Sequence, residues 1–342
     1  MNKKITLKQL AAISNFSVST ISKALSDNHE ISKETKKKIK ELAKFYNYTP
    51  NVMAQSLKSK KTKTIGVIIP NILSHFFAKV LAGIEREVTK KGYNIITCIS
   101  DESYKKEAKS IQMLAAGSVD GFIVSLSKET QLKNNYKHIN EVIKNGLPVV
   151  MFDRTSNEVK CDKIVINDFE SAYNATKYLL DTSCEKILFV SPISTTNVGI
   201  ERANGYSEAI RSHYLKVNEP KFINYTSHTN LKNELEHCLD NDTPDGILAA
   251  DELSAIFSMN HVISKGYKIP EQISIIGFTD GILSENSNPP LTTINQHGMK
   301  LGEIAVSTLI KRIVSKKEKD YVTQVIPTEM IYRKSSKLLV KV

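Results

Sequence analysis

TLKQLAAISNFSVSTISKALS, residues 6–26, decides what kind of protein this is, because it reads as two short helices joined by a tight turn. Thr6 and Gln9 have the spacing of a capping box, in which hydroxyl and amide satisfy the free backbone donors at a helix start. A helix beginning at Leu7 follows. Leu7, Leu10 and Ala11 share one face, and Ser14-Asn15-Phe16 breaks the run before Ser17, a second cap. The next helix then covers 18–25 with Ile21, Ala24 and Leu25 inward. Val18, Ser19, Ser22 and Lys23 are left outward, short groups and one cation that suit a helix pressed into a DNA major groove.

The surrounding charge sharpens this reading. Residues 1–63 hold fourteen lysines, no arginine and four acids, a net +10 against +11 for the whole chain. The other 279 residues are nearly neutral, with 33 bases and 32 acids. A polyanionic partner for the N-terminal segment is the direct inference. Ser32 caps a third helix running from Lys33 to about Tyr46. It packs through Ile39, Leu42, Ala43 and Tyr46 and carries Lys33, Lys37, Lys40 and Lys44 along another arc. Pro50 stops it, and Asn51 caps a helix of about eight residues ending near Lys58, too short to be stable alone in water.

At 342 residues and 41% hydrophobic content the chain can bury a sizeable core in more than one domain. Cys98, Cys161, Cys184 and Cys238 are far apart and form no zinc-type cluster, so they read as small core residues in a reducing compartment. No apolar run approaches the roughly 20 residues that span a bilayer, and MNKKITLKQL lacks the apolar stretch of a signal peptide. A soluble cytoplasmic protein without membrane contact is expected.

From Thr64 the pattern alternates. TIGVIIP, NIITCIS, VDGFIVSL, LPVVMFDR, KIVIND, KILFVSP, DGILAADE and ISIIGFTD read as strands, separated by amphipathic helical stretches, which implies doubly wound parallel sheets. Residues 119–124 and 244–249 echo one another weakly. Two similar α/β lobes with a cleft at the strand ends is the economical arrangement, and such crevices bind ligands.

The order of parts resembles the lactose repressor family of bacterial transcription regulators over essentially the full length. The resemblance is carried by the helix pair, by TPN-x-x-A-x-x-L followed by TIGVIIP, and by Phe76-Phe77-Ala78, RANGY at 202–206, Asp251, IPEQISIIGF and PPLTTINQ. It implies a small all-α helix-turn-helix DNA-binding domain (1–50), a hinge helix and linker (51–63), and a two-lobed periplasmic-binding-protein-like core (64–342). The first lobe would hold about 64–166 plus 295–323, the second about 167–292 plus 324–338. By the same resemblance Ser17, Thr20 and Ser22 touch phosphates, with Thr6 and Ser32 in the same contact set, while Val18, Ser19 and Lys23 read base edges. Leu57 would wedge into the minor groove with Asn51, Ala54 and Lys58 lining the contact. Many relatives carry arginine where this chain has Lys23, and lysine lacks the planar fork that reads guanine bidentately.

In the cleft the resemblance implies Phe76 and Phe77 against a ring-shaped effector, hydrogen-bonded by Arg202, with Asp153, Asp251 and Asp280 at the same crevice. Two plainer readings stand beside it. Phe76 and Phe77 open an amphipathic helix and could be core, and an aspartate after a strand is often only a helix cap. The sequence IGFTDG departs from the family, since Thr279 precedes Asp280 where many relatives place the acid directly after the aromatic residue. Either Asp280 takes over that contact or the effector differs. The expected effector is a sugar or sugar phosphate, with a purine or a protein co-regulator as alternatives, and neither cofactor nor metal is expected.

An enzyme on this scaffold finds no support, since GxGxxG, Walker, GxSxG and HExxH patterns are all missing from the sequence. A solute receptor without a DNA role is countered by the intact helix pair and the basic segment. One helix pair reads only a few base pairs, so a homodimer on a pseudo-palindromic operator is expected. If several of the N-terminal lysines neutralise phosphates, log K for duplex binding falls by roughly 0.9 per phosphate for each unit of log salt. Anisotropy titrations of a duplex at increasing salt measure that slope, and a slope near zero would remove the electrostatic footing of this reading.

Overall fold

The computed structural model describes residues 5–48, 61–213, 219–315 and 320–339. The short helix expected at 51–58, with Asn51, Ala54, Leu57 and Lys58, lies outside the described residues. The chain divides into two compact units, Met1–Thr62 and Lys63–Val342.

The first unit has three helices, α1 (Leu7–Ser14), α2 (Val18–Leu25) and α3 (Lys33–Phe45). Their starts follow the expected caps. Gln9 N donates to Thr6 Oγ1 at 3.3 Å while Thr6 N donates back to Gln9 Oε1 at 2.8 Å. Ser17 accepts from Thr20 N at 3.0 Å, and Ser32 accepts from Thr35 N at 3.2 Å. Asn15 in the left-handed region (φ 56°) ends α1 and makes the tight turn. Leu10, Ile21, Ala24, Ile39 and Ala43 form the core. Tyr46 corrects the sequence reading, for it is exposed rather than packed. The helix stops one residue earlier, Asn47 turns left-handed (φ 48°), and Tyr48 N bonds Ala43 O at 2.8 Å. That reversal folds Tyr48, not Tyr46, back onto the core.

The second unit contains two six-stranded sheets. In chain order its elements are β1 (Thr64–Ile69), α4 (His75–Lys90), β2 (Asn94–Ile99), α5 (Tyr104–Ala115), β3 (Phe122–Val124), α6 (Lys128–Lys133), α7 (Lys137–Lys144), β4 (Val149–Phe152) and β5 (Asp162–Ile166). Then come α8 (Asp168–Asp181), β6 (Ile187–Ser191), α9 (Asn197–Ser212), β7 (Lys221–Asn224), α10 (His228–Asn241), β8 (Gly246–Ala249), α11 (Glu252–Ser264), β9 (Ser274–Phe278) and α12 (Ile282–Asn286). The chain closes with β10 (Thr292–Asn295), α13 (Gly298–Val314), β11 (Thr323–Ile326) and β12 (Glu329–Ile331).

The first sheet runs β11-β5-β4-β3-β1-β2 and the second β12-β10-β9-β8-β6-β7. Every described pairing is parallel except β10 with β12. Their strands read as continuous apolar runs because helices cover both faces. The chain therefore crosses between sheets three times, after β5, after β10 and between β11 and β12. The lobe boundaries expected from sequence need correction at the last two crossings. Strand β10 belongs wholly to the second sheet, and β11 extends the first sheet rather than starting the second lobe's tail. Asp162 fixes β11 there, accepting from Arg312 Nε at 2.6 Å and from Val322 N at 2.9 Å.

Helices α4 and α13 pack backbone to backbone on the first sheet. A Cβ at Gly83 would lie 2.0 Å from Met299 O, and one at Gly302 would lie 2.2 Å from Val80 O. Neither position has room for a side chain without separating the helices. Gly302→Ala is therefore expected to destabilise the core by about 1 to 3 kcal/mol through overpacking. Denaturant unfolding of the full chain checks this, and an unchanged midpoint would show that the helix pair separates freely.

Candidate functional site

On the first unit, Ser17, Val18 and Ser19 are exposed at the start of α2, and Thr20, Ser22 and Lys23 are partly exposed beside them. Thr6 and Ser32 are exposed at the starts of α1 and α3. The hydroxyls of Ser17 and Thr20 lie 2.8 Å apart, so capping already occupies one of them. Lys23 is not a free cation, since it pairs with Glu30 in the loop after α2. Nothing in the helical periodicity of α2 signals that partner. On α3, Lys36 and Lys40 converge on Asp27, and their hydrogen bonds hold its carboxyl below the ordinary range. Lys33, Lys37 and Lys44 have no carboxylate partner among the described residues.

In the second unit the carboxyl ends of both sheets face a cavity of about 670 Å³. The first lobe contributes residues following β1 (Asn71 and Leu73 to Phe77), β2 (Asp101, Glu102), β3 (Lys128) and β4 (Asp153, Arg154). The second contributes residues following β6 (Pro192, Ile193, Val198, Arg202), β7 (Tyr225 to His228), β8 (Asp251 to Leu253), β9 (Thr279) and β10 (Gln296). The loops that leave the parallel strands, together with the first turns of the helices that follow them, supply this wall, as expected for an open α/β sheet.

Phe76 and Phe77 serve two purposes. Both are buried in the first lobe's core, Phe77 edge-on to Phe152 at 6.1 Å, yet both also line the cavity. Arg202 is 3% exposed. Its Nε donates to Asp168 Oδ1 at 2.8 Å, its Nη1 donates to Ala250 O at 2.6 Å, and its guanidinium lies 3.8 Å over the Phe278 ring. Arg154 is likewise engaged, donating to both carboxylate oxygens of Glu102 at 2.8 and 2.6 Å. Asp153 differs. It is 8% exposed, sits in left-handed backbone (φ 56°), and its carboxylate has no hydrogen bond or ion pair among the described residues. Burial pushes its carboxyl up, against the pull of Arg154 and Arg202.

Asp251 is the cap of α11, its Oδ1 accepting from Ser254 N at 2.7 Å, and it also faces the cavity. Asp280 is placed elsewhere. It accepts from Arg333 Nη2 at 2.6 Å and from Thr293 Oγ1 at 3.1 Å and is not part of the cavity wall. Thr279 takes the wall position instead, donating to Gln296 Oε1 at 2.7 Å. Sequence reasoning also passed over Asp168, Glu102 with Arg154, Lys128, Gln296 and His75, whose buried Nε2 has no hydrogen-bond partner among the described residues. Their shared signal was available, because nearly all lie within a few residues of a strand's carboxyl end.

The comparisons with known proteins fit this geometry. The model for bacterial regulatory proteins of the lacI family matches residues 6–51, and that for a periplasmic binding protein-like domain matches residues 176–336. A relative described as the HTH-type transcriptional repressor PurR of Vibrio cholerae serotype O1 (strain M66-2) is 30% identical over 338 residues, covering 98% of this chain and 99% of its own. The chain belongs to the lacI family. It is a DNA-binding transcription regulator, not an enzyme. Among solved structures, a lac repressor dimer bound to operator and the anti-inducer ONPF matches with a TM-score of 0.85 at 20% identity, covering 98% of this chain and 99% of that one. A lacI-family regulator from Enterococcus faecium with bound ribose matches with a TM-score of 0.70 at 27% identity, covering 80% and 98%.

In this lacI-family core, Asp168 has a measurable consequence. Burial pushes its carboxyl from 3.8 up to about 6, with Arg202 opposing and Asp153 adding to the rise. The folded form therefore binds this proton more tightly than the unfolded chain does. Its cost to stability is absent below about pH 4 and complete above about pH 6. Asp168→Asn, compared with the parent by denaturant unfolding at pH 4.5 and 7, is expected to lose less stability over that interval. A steeper loss in the variant would contradict the assignment.

Proposed function

We propose that this chain is a repressor that binds a pseudo-palindromic operator as a homodimer, with its affinity set by a neutral, hydroxyl-rich ring, a sugar, in the cavity between the lobes. The Asp153 carboxylate carries the choice of ligand. It is buried, without a partner, and aimed at a cavity whose two guanidiniums are already neutralised by Glu102 and Asp168. An unmatched buried carboxylate is costly unless a donor reaches it, and sugar hydroxyls are donors of the right kind. The cavity wall holds five acids (Asp101, Glu102, Asp153, Asp251, Glu252) against three permanent cations (Lys128, Arg154, Arg202). That balance disfavours a sugar phosphate, since an added anion would meet a surplus of carboxylates. Phe76 and Phe77 offer apolar surface for the ring's less polar face.

The open sheet edges are the candidate homodimer contact, since Ile96 and Ile99 on β2 and Phe222 on β7 are large apolar side chains exposed there. Such a regulator works in the cytoplasm, where its operator is. Among the described residues no helix is long and apolar enough to cross a membrane.

A thermal-shift panel of neutral sugars, sugar phosphates and purine bases on the full chain tests the ligand reading, since a ligand selective for the folded state raises the midpoint. At least one neutral sugar is expected to do so, and Asp153→Ala is expected to weaken its binding by roughly 10- to 100-fold, as losing a hydrogen bond to a charged group does. Duplex binding in that variant's ligand-free form should persist. Responses only to phosphorylated sugars or to purines would overturn the choice of ligand while leaving the DNA-binding assignment standing.

A further inference from the structure

Helix α6 of the first lobe reaches across to the second. Gln131 Nε2 donates to Asn197 Oδ1 at 2.6 Å, and Asn197 N donates back to Gln131 Oε1 at 3.4 Å. Beside this pair, Lys128 Nζ donates to Pro192 O at 3.2 Å. These bonds join the lobes away from the three chain crossings. Asn197 is the first residue of α9, so its N–H is one of the donors that a helix start leaves without an internal partner. A side chain of one lobe thus completes the capping of a helix in the other.

Both ends of this link are rigid. The chain entering α6 is tied to the first lobe by the fully buried Glu107, which accepts from Ser127 N at 2.6 Å and Thr130 Oγ1 at 2.7 Å. Glu102, already paired with Arg154, accepts from Lys128 N at 2.8 Å. Gln131 Nε2 also donates to Thr155 O at 3.0 Å, two residues beyond Asp153. On the other side, α9 carries Val198 and Arg202 into the cavity wall. Gln131 is 8% exposed, so water competes weakly for its amide.

We infer that Gln131 and Asn197 form an interlobe latch that sets the balance between closed and parted lobes, and with it the shape of the cavity presented to any ligand. The latch can carry this role because parting the lobes must break the amide pair, while each partner stays fixed in its own lobe. Lys128 adds a weaker second contact beside it. The inference does not depend on which ligand the cavity takes.

Amide hydrogen exchange and small-angle X-ray scattering on the full chain, with no ligand added, test it. Gln131→Ala is expected to speed exchange by roughly tenfold, the worth of one to two neutral hydrogen bonds, in cavity segments of both lobes. Residues 71–74 and 225–228 are the reporters, being remote in sequence from the latch, and the radius of gyration should increase. Asn197→Asp keeps an oxygen facing the Gln131 amide and its own N–H, so it should behave as the parent. Faster exchange confined to residues 197–199 with an unchanged scattering curve would reduce Gln131 to a local cap and overturn the latch. If Gln131→Ala lowers the unfolding midpoint too far for this comparison, Asn197→Ala, which removes only the shorter bond, replaces it. The same pattern at smaller amplitude is then expected, and parent-like exchange in both reporter segments would overturn the latch equally.

Discussion

A guanidinium with 3% of its surface exposed keeps its charge only if the fold surrounds it with partners, and the character of the cleft follows from how Arg202 meets that demand. Asp168 supplies the opposite charge, the Ala250 carbonyl a further acceptor, and Phe278 a π-face. Asp168 and Ala250 take the hydrogen bonds of Arg202, and Glu102 takes those of Arg154, so both arginines pull on Asp153 through space while neither pairs with it directly. Asp153 is left without a hydrogen-bond partner among the described residues, and the proposal of a donor-rich ligand over an anion rests on that.

The parallel sheets make this concentration of polar groups possible. When strands run in one direction, all their carboxyl ends lie on one side, and the loops leaving them can be polar without disturbing the apolar strands behind. Three crossings between the sheets bring two such edges to face one another. The loop after β4 carries Asp153, Arg154 and Thr155, and α9 carries Asn197 and Arg202, so each of these short stretches contributes both to the cavity wall and to the hydrogen bonds made by Gln131. In the first unit the same economy appears at smaller scale, with serine and threonine caps starting each helix and leaving polar side chains exposed at the α2 face.

Local rules were legible in the sequence wherever the deciding contacts were close in the chain. The Thr6–Gln9 capping box, the helix break at Ser14-Asn15-Phe16 and the apolar strand runs all depend on residues within a few positions. Tyr46 was misplaced because helix periodicity says nothing about where the helix ends, and a single left-handed residue, Asn47, returns Tyr48 to the core in its stead. The membership of β11 in the first sheet was hidden because Asp162, 150 residues before Arg312, fixes it. Asp280 illustrates the same limit. Its position beside Thr279 suggested a cavity contact, but Arg333, 53 residues later in the chain, draws it away. Ion pairs over such separations leave no periodic trace, and they decide which of several acids is free to meet a ligand.

The central claim is that occupancy of the cleft and occupancy of the DNA face are linked. Linkage is reciprocal, so a ligand that changes operator affinity by some factor must have its own affinity changed by the same factor when the operator is bound. The direct measurement is calorimetric titration of the full chain with the sugar proposed as its effector, first alone and then saturated with a duplex selected by the protein itself. The expected dissociation constants differ by roughly 5- to 150-fold and match the change in duplex affinity measured with and without the sugar. Equal sugar affinity in the presence and absence of the duplex would contradict it.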